Sequence, residues 1–269
     1  MRLVDLSVPI APHPQDPNVG EVEQWTHERG PELIGRAFAP LLEETARRHG
    51  LPEVPVLDAR AFPDGVFLSN EFVRLAVHGG THLDAPFHYG PVCEGRPAKR
   101  IGDIPLEWCW GDGVLLSFTS KAPLELIEAE DVERELRRIG YTPNPGDIVL
   151  IETGWDARWP DRDYFDAHPA MSLDATRLLV EQGVRVIGID TNGFDLPSAA
   201  MIEQYALTGD SSHLWPCHMY GREREYLQIE RMGSLGRIGA THGFQLACFP
   251  IRVDGAGAGW VRPVAIVHE

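Results

Sequence analysis

Gly113-Val114-Leu115-Leu116-Ser117-Phe118, Asp147-Ile148-Val149-Leu150-Ile151-Glu152 and Val184-Arg185-Val186-Ile187-Gly188-Ile189 decide the fold, because each is an apolar run of strand length and a helical pattern separates each from the next. Between the first two, Ala129 to Gly140 opens with Glu130 and Asp131 and closes with Arg137, Arg138 and Gly140, matching a helix dipole and a glycine stop. Between the second two, Ser172 to Gly183 begins on a serine suited to an N-cap and again ends in glycine. Outward from this centre, Leu3 to Ile10 alternates apolar and polar residues before Pro12, Pro14 and Pro17, so a strand runs into a loop. Phe67-Leu68, Val73-Arg74-Leu75-Ala76-Val77, Phe244-Gln245-Leu246-Ala247-Cys248-Phe249 and Val261-Arg262-Pro263-Val264-Ala265-Ile266-Val267 read as further strands. Strands mixed with a few helices, without strict alternation, predict an α/β or α+β domain around a mixed sheet.

From about residue 20 to 64 the chain is polar, with one helical candidate, Leu41 to Arg48, stopped by Gly50 and Pro52. This segment reads as an elaboration. No repeat, low-complexity tract or long Pro/Gly linker interrupts the sequence, so a single domain over 1–269 is expected.

Composition removes several classes of function. At 43% hydrophobic residues, a 269-residue chain can bury a large core. A net charge of −16, from 24 Lys+Arg against 40 Asp+Glu, argues against nucleic-acid and anionic membrane partners. The basic cluster Arg134, Arg137 and Arg138 lies among acids and reads as a solvated helix face. No run approaches the ~20 apolar residues of a membrane span, and the N-terminus lacks a signal-peptide core. Cys93, Cys109, Cys217 and Cys248 are scattered without a CxxC pair, so buried thiols in a reducing cytoplasm are the expectation.

The chemistry is concentrated in His78-Gly79-Gly80-Thr81-His82-Leu83-Asp84-Ala85-Pro86-Phe87-His88. Gly79-Gly80 disfavours a helix, so His78 and His82 must converge through a turn, and His82 and Asp84 share a side if the chain is extended. Pro86 fixes the exit, which lets His88 fold back. Imidazole and carboxylate ligands suit Zn²⁺, Mn²⁺ or Fe²⁺, and Thr81 is placed to hydrogen-bond a ligand carboxylate or imidazole.

These residues resemble the signature H-x-G-T-H-x-D-x-P-x-H of the cyclase-like metal-dependent hydrolases, the family of bacterial kynurenine formamidase and isatin hydrolase, at every specified position. The likeness runs from Asp5-Leu6-Ser7 through Val186 to Thr191 and into the C-terminal strands, omitting about residues 20 to 64. It implies an α/β single domain, a mixed sheet flanked by helices in a swivelling β/β/α arrangement. It also implies that His78, His82 and Asp84 hold one divalent metal, Zn²⁺ or Mn²⁺, and that Asp84 bridges to a second ion held by His218 and Glu230. Glu230-Arg231-Met232-Gly233-Ser234-Leu235 is similar to the family's E-x-L-x-x-L stretch with Met for Leu. His213 and His242 are rival ligands. Two stretches depart from the family. Asn192-Gly193-Phe194-Asp195 stands where a small hydroxyl residue is common, and His13-Pro14-Gln15-Asp16-Pro17 lacks the usual tryptophan.

A divalent metal polarises a carbonyl and lowers the pKa of bound water toward ~7. The leaving nitrogen then needs a proton, for which His88, assisted by Glu230, is the candidate. No Gly-x-Ser-x-Gly elbow offers a serine nucleophile instead. Phe87, Tyr89, Trp215 and Tyr220 stand near the candidate ligands in sequence and either line a pocket for a flat substrate or pack in the core. The expected activity is hydrolysis of a C–N bond in a small amide, foremost a lactam, with arylformamidase as the near alternative. Metal-assisted cyclisation or dehydration and a silent metal-binding assembly protein are the other readings; the presence of His88, which metal binding alone does not need, argues against the last. One or two ions per chain are expected. So is a homodimer or homotetramer, because Trp25, Leu33, Ile34, Phe38, Leu41 and Leu42 could cover a partner.

Overall fold

In a computed structural model that describes residues 1–11, 16, 19–159 and 161–268, the apolar runs assemble into one nine-stranded sheet. Its strands in chain order are β1 (Arg2–Asp5), β2 (His82–Asp84), β3 (Trp110–Ser117), β4 (Ile148–Glu152), β5 (Val186–Ile189), β6 (Leu227–Glu230), β7 (Phe244–Ala247), β8 (Ala258–Trp260) and β9 (Val264–Val267). They lie in the order β1-β9-β7-β3-β4-β5-β6-β2-β8. The four central strands β3 to β6 are parallel and both margins are antiparallel, so the sheet is mixed.

Parallel neighbours need crossovers, and the helices supply them. Ala129–Ile139 returns the chain from β3 to β4, and Leu173–Glu181 returns it from β4 to β5. Gly140 ends the first with φ +66°, and the Ser172 hydroxyl caps the second by accepting from the Ala175 N–H. The pleat then sorts side chains between two cores. Val114, Leu116, Val149, Ile151, Ile187 and Ile189 pack with Val132, Leu136, Ala175 and Leu179 of the helices. Leu115, Ile148, Leu150, Val186 and Ile229 face the other way, onto Ile101, Ile104, Leu235 and Ile238. Each such fully buried Leu or Ile contributes roughly 1.5–3 kcal/mol of transfer free energy. All four cysteines are buried free thiols. Arg134, Arg137 and Arg138 are neutralised within their own helix by Asp131, Glu133 and Glu135.

The sheet belongs to a compact unit of Met1–Val19 and Ala76–Glu269, and Gly20–Leu75 forms a second. In the second unit, the expected helix at Leu41 to Arg48 is the end of a longer one, Gly30–His49, stopped by Gly50 at φ +62°. Of the two strand runs expected here, Phe67-Leu68 is not a strand, and Val73 to Val77 overlaps only the end of the strand Asn70–Leu75. Its Phe72 ring lies 5.0 Å from that of Trp25. No helix among the described residues is long and apolar enough to cross a membrane.

Candidate metal centre

The centre is built on β2. His82 and Asp84, two apart on a strand, project from one face. Antiparallel register sets Glu230 of β6 opposite His82, so a third side chain reaches the same face. Gly80 makes the turn into β2 at φ +69°, where a Cβ would fall 2.9 Å from Ile10 Cγ1. The Gly80 carbonyl accepts from His82 Nδ1–H at 2.9 Å, which leaves the Nε2 lone pair directed at the centre.

Around Asp84, the ligand atoms converge. His78 Nδ1 lies 3.0 Å and His82 Nε2 3.5 Å from Asp84 Oδ1, and His82 Nε2 is 3.4 Å from Glu230 Oε2. Pro86 opens a helical turn, Pro86–Tyr89, that carries His88 back over the carboxylate, with Nε2 4.0 Å from Oδ2. Gly257 makes room for it, since a Cβ there would sit 3.0 Å from the His88 amide nitrogen. From the turn Pro216–Tyr220, His218 Nε2 reaches to 3.9 Å from Asp84 Oδ2 and 3.6 Å from Glu230 Oε1.

His218 owes its orientation to Asp195, the last residue of the stretch Asn192-Gly193-Phe194-Asp195 that departs from the family and not one of the ligands expected from the sequence. Asp195 Oδ2 accepts from His218 Nδ1–H at 2.6 Å, and Oδ1 accepts from the Cys217 N–H at 2.7 Å. A carboxylate behind an imidazole fixes its tautomer and raises its basicity as a ligand.

The residues fit a divalent cation. Asp84 is fully buried, and neither of its oxygens nor His82 Nε2 has a hydrogen-bond partner among the described residues. An ionised carboxylate held in that state without a counter-charge costs several kcal/mol. Two sets of three donors share Asp84, His78/His82/Asp84 and Asp84/His88/His218, with the ligand atoms of each set within 4.8 Å of one another. Burial opposes charge on Asp84, but His82, His88 and His78 outweigh it and hold the carboxyl far below its usual range. Burial also works against imidazolium at His218, yet the bond to Asp195 and the charges of Asp195, Glu230 and Asp84 raise its pKa to about 9. Such a surplus of acids is what a bound cation neutralises when it displaces the proton from an imidazole. His88 shifts the other way, downward, with burial the largest cause.

Of the residues expected from sequence, His78, His82, Asp84, His88, His218 and Glu230 therefore meet. The rivals do not. His213 sits in the turn Ser211–His213 outside this cavity, and His242 stacks on Tyr141 at 5.0 Å. Thr81 corrects the expectation made for it. Its hydroxyl donates to the Arg231 carbonyl at 2.5 Å and accepts from the Val8 N–H at 2.9 Å, bracing the backbone instead of a ligand. Among the aromatic candidates, only Trp215 lines the cavity of about 280 Å³ beside the centre. Tyr89 backs His218 edge-on at 5.6 Å from within the core. Phe87 turns away beneath the Arg100 guanidinium, 4.5 Å from its ring centroid, and Tyr220 packs on Tyr226. Consecutive residues of a helical turn point in different directions, which is why neighbours of ligands in sequence are not neighbours in space. Residues 12–15, 17 and 18 of the proline loop lie outside the described residues, but Asp16 is buried and accepts from Arg231 Nη1 at 2.5 Å.

The cavity is also lined by His168, Asn192 and Arg231; Asn192 belongs to the stretch that departs from the family, and His168 and Arg231 are not expected as site residues from the sequence. His168 donates Nδ1–H to the Pro169 carbonyl at 3.0 Å, and burial lowers its pKa to about 4.

The Cyclase family model matches residues 4–196 of this chain. Kynurenine formamidase from Bacillus cereus is 29% identical over 128 residues, 46% of this chain and 51% of that protein. The kynurenine formamidase from Bordetella petrii is 33% identical over 138 residues, 49% of this chain and 56% of that protein. The chain spans about half the length of the curated relatives it matches. Isatin hydrolase A from Labrenzia aggregata, solved with benzyl benzoate bound, shares the fold with a TM-score of 0.68 at 19% identity, over 100% of this chain and 94% of that one.

Proposed function

The chain belongs to the Cyclase family, and from that premise we propose that it is a metal-dependent hydrolase that opens the C–N bond of a small cyclic amide. Asp84 carries the reading: a fully buried carboxylate with no hydrogen bond among the described residues, ringed by His78, His82, His88 and His218, calls for a cation. The names of its relatives, a formamidase and an isatin hydrolase, support hydrolysis as the use of that cation.

In this reading His78, His82 and Asp84 hold one Zn²⁺ or Mn²⁺, and Asp84, His218 and Glu230 hold a second. An ion so held supplies a Lewis acid for the substrate carbonyl and acidifies water. His88 handles the proton. Its side chain is 34% exposed, and its depressed pKa leaves Nε2 free to accept from the attacking water. It takes that proton as the C–O bond forms and returns it to the leaving nitrogen as the C–N bond breaks. Glu230, beside both His82 and His218, assists from the opposite side. A cavity of about 280 Å³ is small for a ligand site, which favours a compact ring whose halves stay tethered after opening.

The test is kcat/KM for metal-loaded protein on matched lactam, formanilide and lactone substrates, with the lactam expected to lead. A lactone preference of ~10²-fold would overturn the C–N assignment, and a formanilide preference of that size would favour the arylformamidase reading. We also infer a homodimer or homotetramer, supported by Phe38 and Leu41, which are exposed on the helix Gly30–His49. Light scattering should give a multiple of 29.9 kDa, and the monomer mass at micromolar concentration would contradict it.

A further inference from the structure

We propose that Arg231 and Asn192 form a recognition wall for a cyclic imide or ureide, a ring that carries a second carbonyl beside its amide N–H. The reaction assigned to that ring rests on the hydrolase reading above, but the binding does not.

Along β6, successive side chains should alternate between faces, so the residue after Glu230 should point away from the centre. Arg231 does not. Its backbone turns into the left-handed region at φ +58°, unfavourable for a residue with a Cβ, and it lines the same cavity as Glu230. Its N–H donates to the Thr191 carbonyl at 3.0 Å, which sets it alongside Asn192. The side chain is 5% exposed. Nη1 is committed to Asp16, whose carboxylate offsets the positive charge, and Nε–H has no partner among the described residues. With its charge so offset, the guanidinium offers this Nε–H to a neutral carbonyl oxygen more readily than to a carboxylate. Asn192 also lines the cavity, and its Oδ1 is buried without a partner among the described residues. His168 adds an acceptor, because donating Nδ1–H to Pro169 leaves Nε2 with a lone pair.

A donor beside acceptors complements the –CO–NH– group that remains once the first carbonyl has been taken by the centre. In hydrolysis of such a ring, water adds its oxygen to the first carbonyl carbon and the bond from that carbon to nitrogen breaks. The nitrogen leaves as the primary amide of the second carbonyl, with its proton from His88. Negative charge developing on that nitrogen spreads onto the second carbonyl oxygen, the atom placed to accept from Arg231 Nε–H.

Glutarimide and δ-valerolactam share a ring size and differ by one carbonyl, so their affinities, measured by titration calorimetry on the metal-loaded protein, isolate the wall. Glutarimide should bind about 10- to 100-fold more tightly, the usual worth of a buried polar pairing that one ligand makes and the other leaves unmet. Asn192→Ala and Arg231→Lys should each reduce the preference to about threefold or less; if the arginine variant does not fold, the asparagine variant decides. Equal affinities in the wild type, or a preference that survives substitution, overturn the proposal. If glutarimide is preferred but neither ring is hydrolysed, the hydrolase reading fails and the recognition wall stands.

Discussion

His82 and His88 both approach Asp84, but their surroundings assign them different work. His82 is locked by Gly80 and buried to 1% exposure, whereas His88 stands at the open side with 34% of its side chain exposed. His82→Ala should strip the metal. His88→Ala should keep bound metal and lose turnover by about 10²-fold or more, the usual scale of general acid–base catalysis. Elemental analysis beside the kinetics checks both, and metal loss in His88→Ala with unchanged activity per ion would make His88 a ligand, as the set Asp84/His88/His218 allows. Of the six residues that meet at the centre, His218 and Glu230 followed only from the family resemblance, whereas His78, His82, Asp84 and His88 were legible in the sequence because residue type and spacing advertise ligands. Asp195, Asn192 and Arg231 were not, since their roles arise where β5 and β6 end side by side, a juxtaposition no local pattern encodes.

At the scale of elements, legibility followed length and burial. β3, β4 and β5 are apolar enough to be read directly, and the helices between them announce themselves by caps. β2 and β8 are three residues each, one inside the polar motif and one built from Ala, Gly and Trp, and their strand character comes from pairing with neighbours. The helix Ser198–Thr208 leaves Ile202, Tyr205 and Leu207 exposed, so it lacks the apolar stripe that would mark a helix in sequence. The Ser172 cap offers a clean check on this level of the account. Removing its bond to the Ala175 N–H with Ser172→Ala should lower stability by about 1 kcal/mol in chemical denaturation and leave kcat/KM unchanged. A change below ~0.3 kcal/mol would mean that the cap is not holding the helix.

For the molecule as a whole, pH couples stability to the cavity wall. His168 is buried as neutral imidazole, with burial lowering its folded pKa to about 4, below the 6.5 expected of the unfolded chain. The unfolded state therefore binds the extra proton first. Stability is retained above about pH 6.5 and lost as the pH falls toward 4, with at most about 3 kcal/mol at stake. Denaturant midpoints at pH 7 and 4.5 should show a larger acid loss for the wild type than for His168→Gln, which has no such group to protonate. Equal losses would remove His168 from the account.

The acids and imidazoles around Asp84 form a cluster able to hold a divalent cation. Elemental analysis of purified protein, paired with thermal melting before and after chelation, tests this most directly. The account predicts one to two equivalents of Zn, Mn or Fe per chain and a clear fall in melting temperature on chelation that added metal reverses, since a ligand bound only by the folded state stabilises it. Less than about a tenth of an equivalent, with no change in melting temperature when these metals are added, would contradict it.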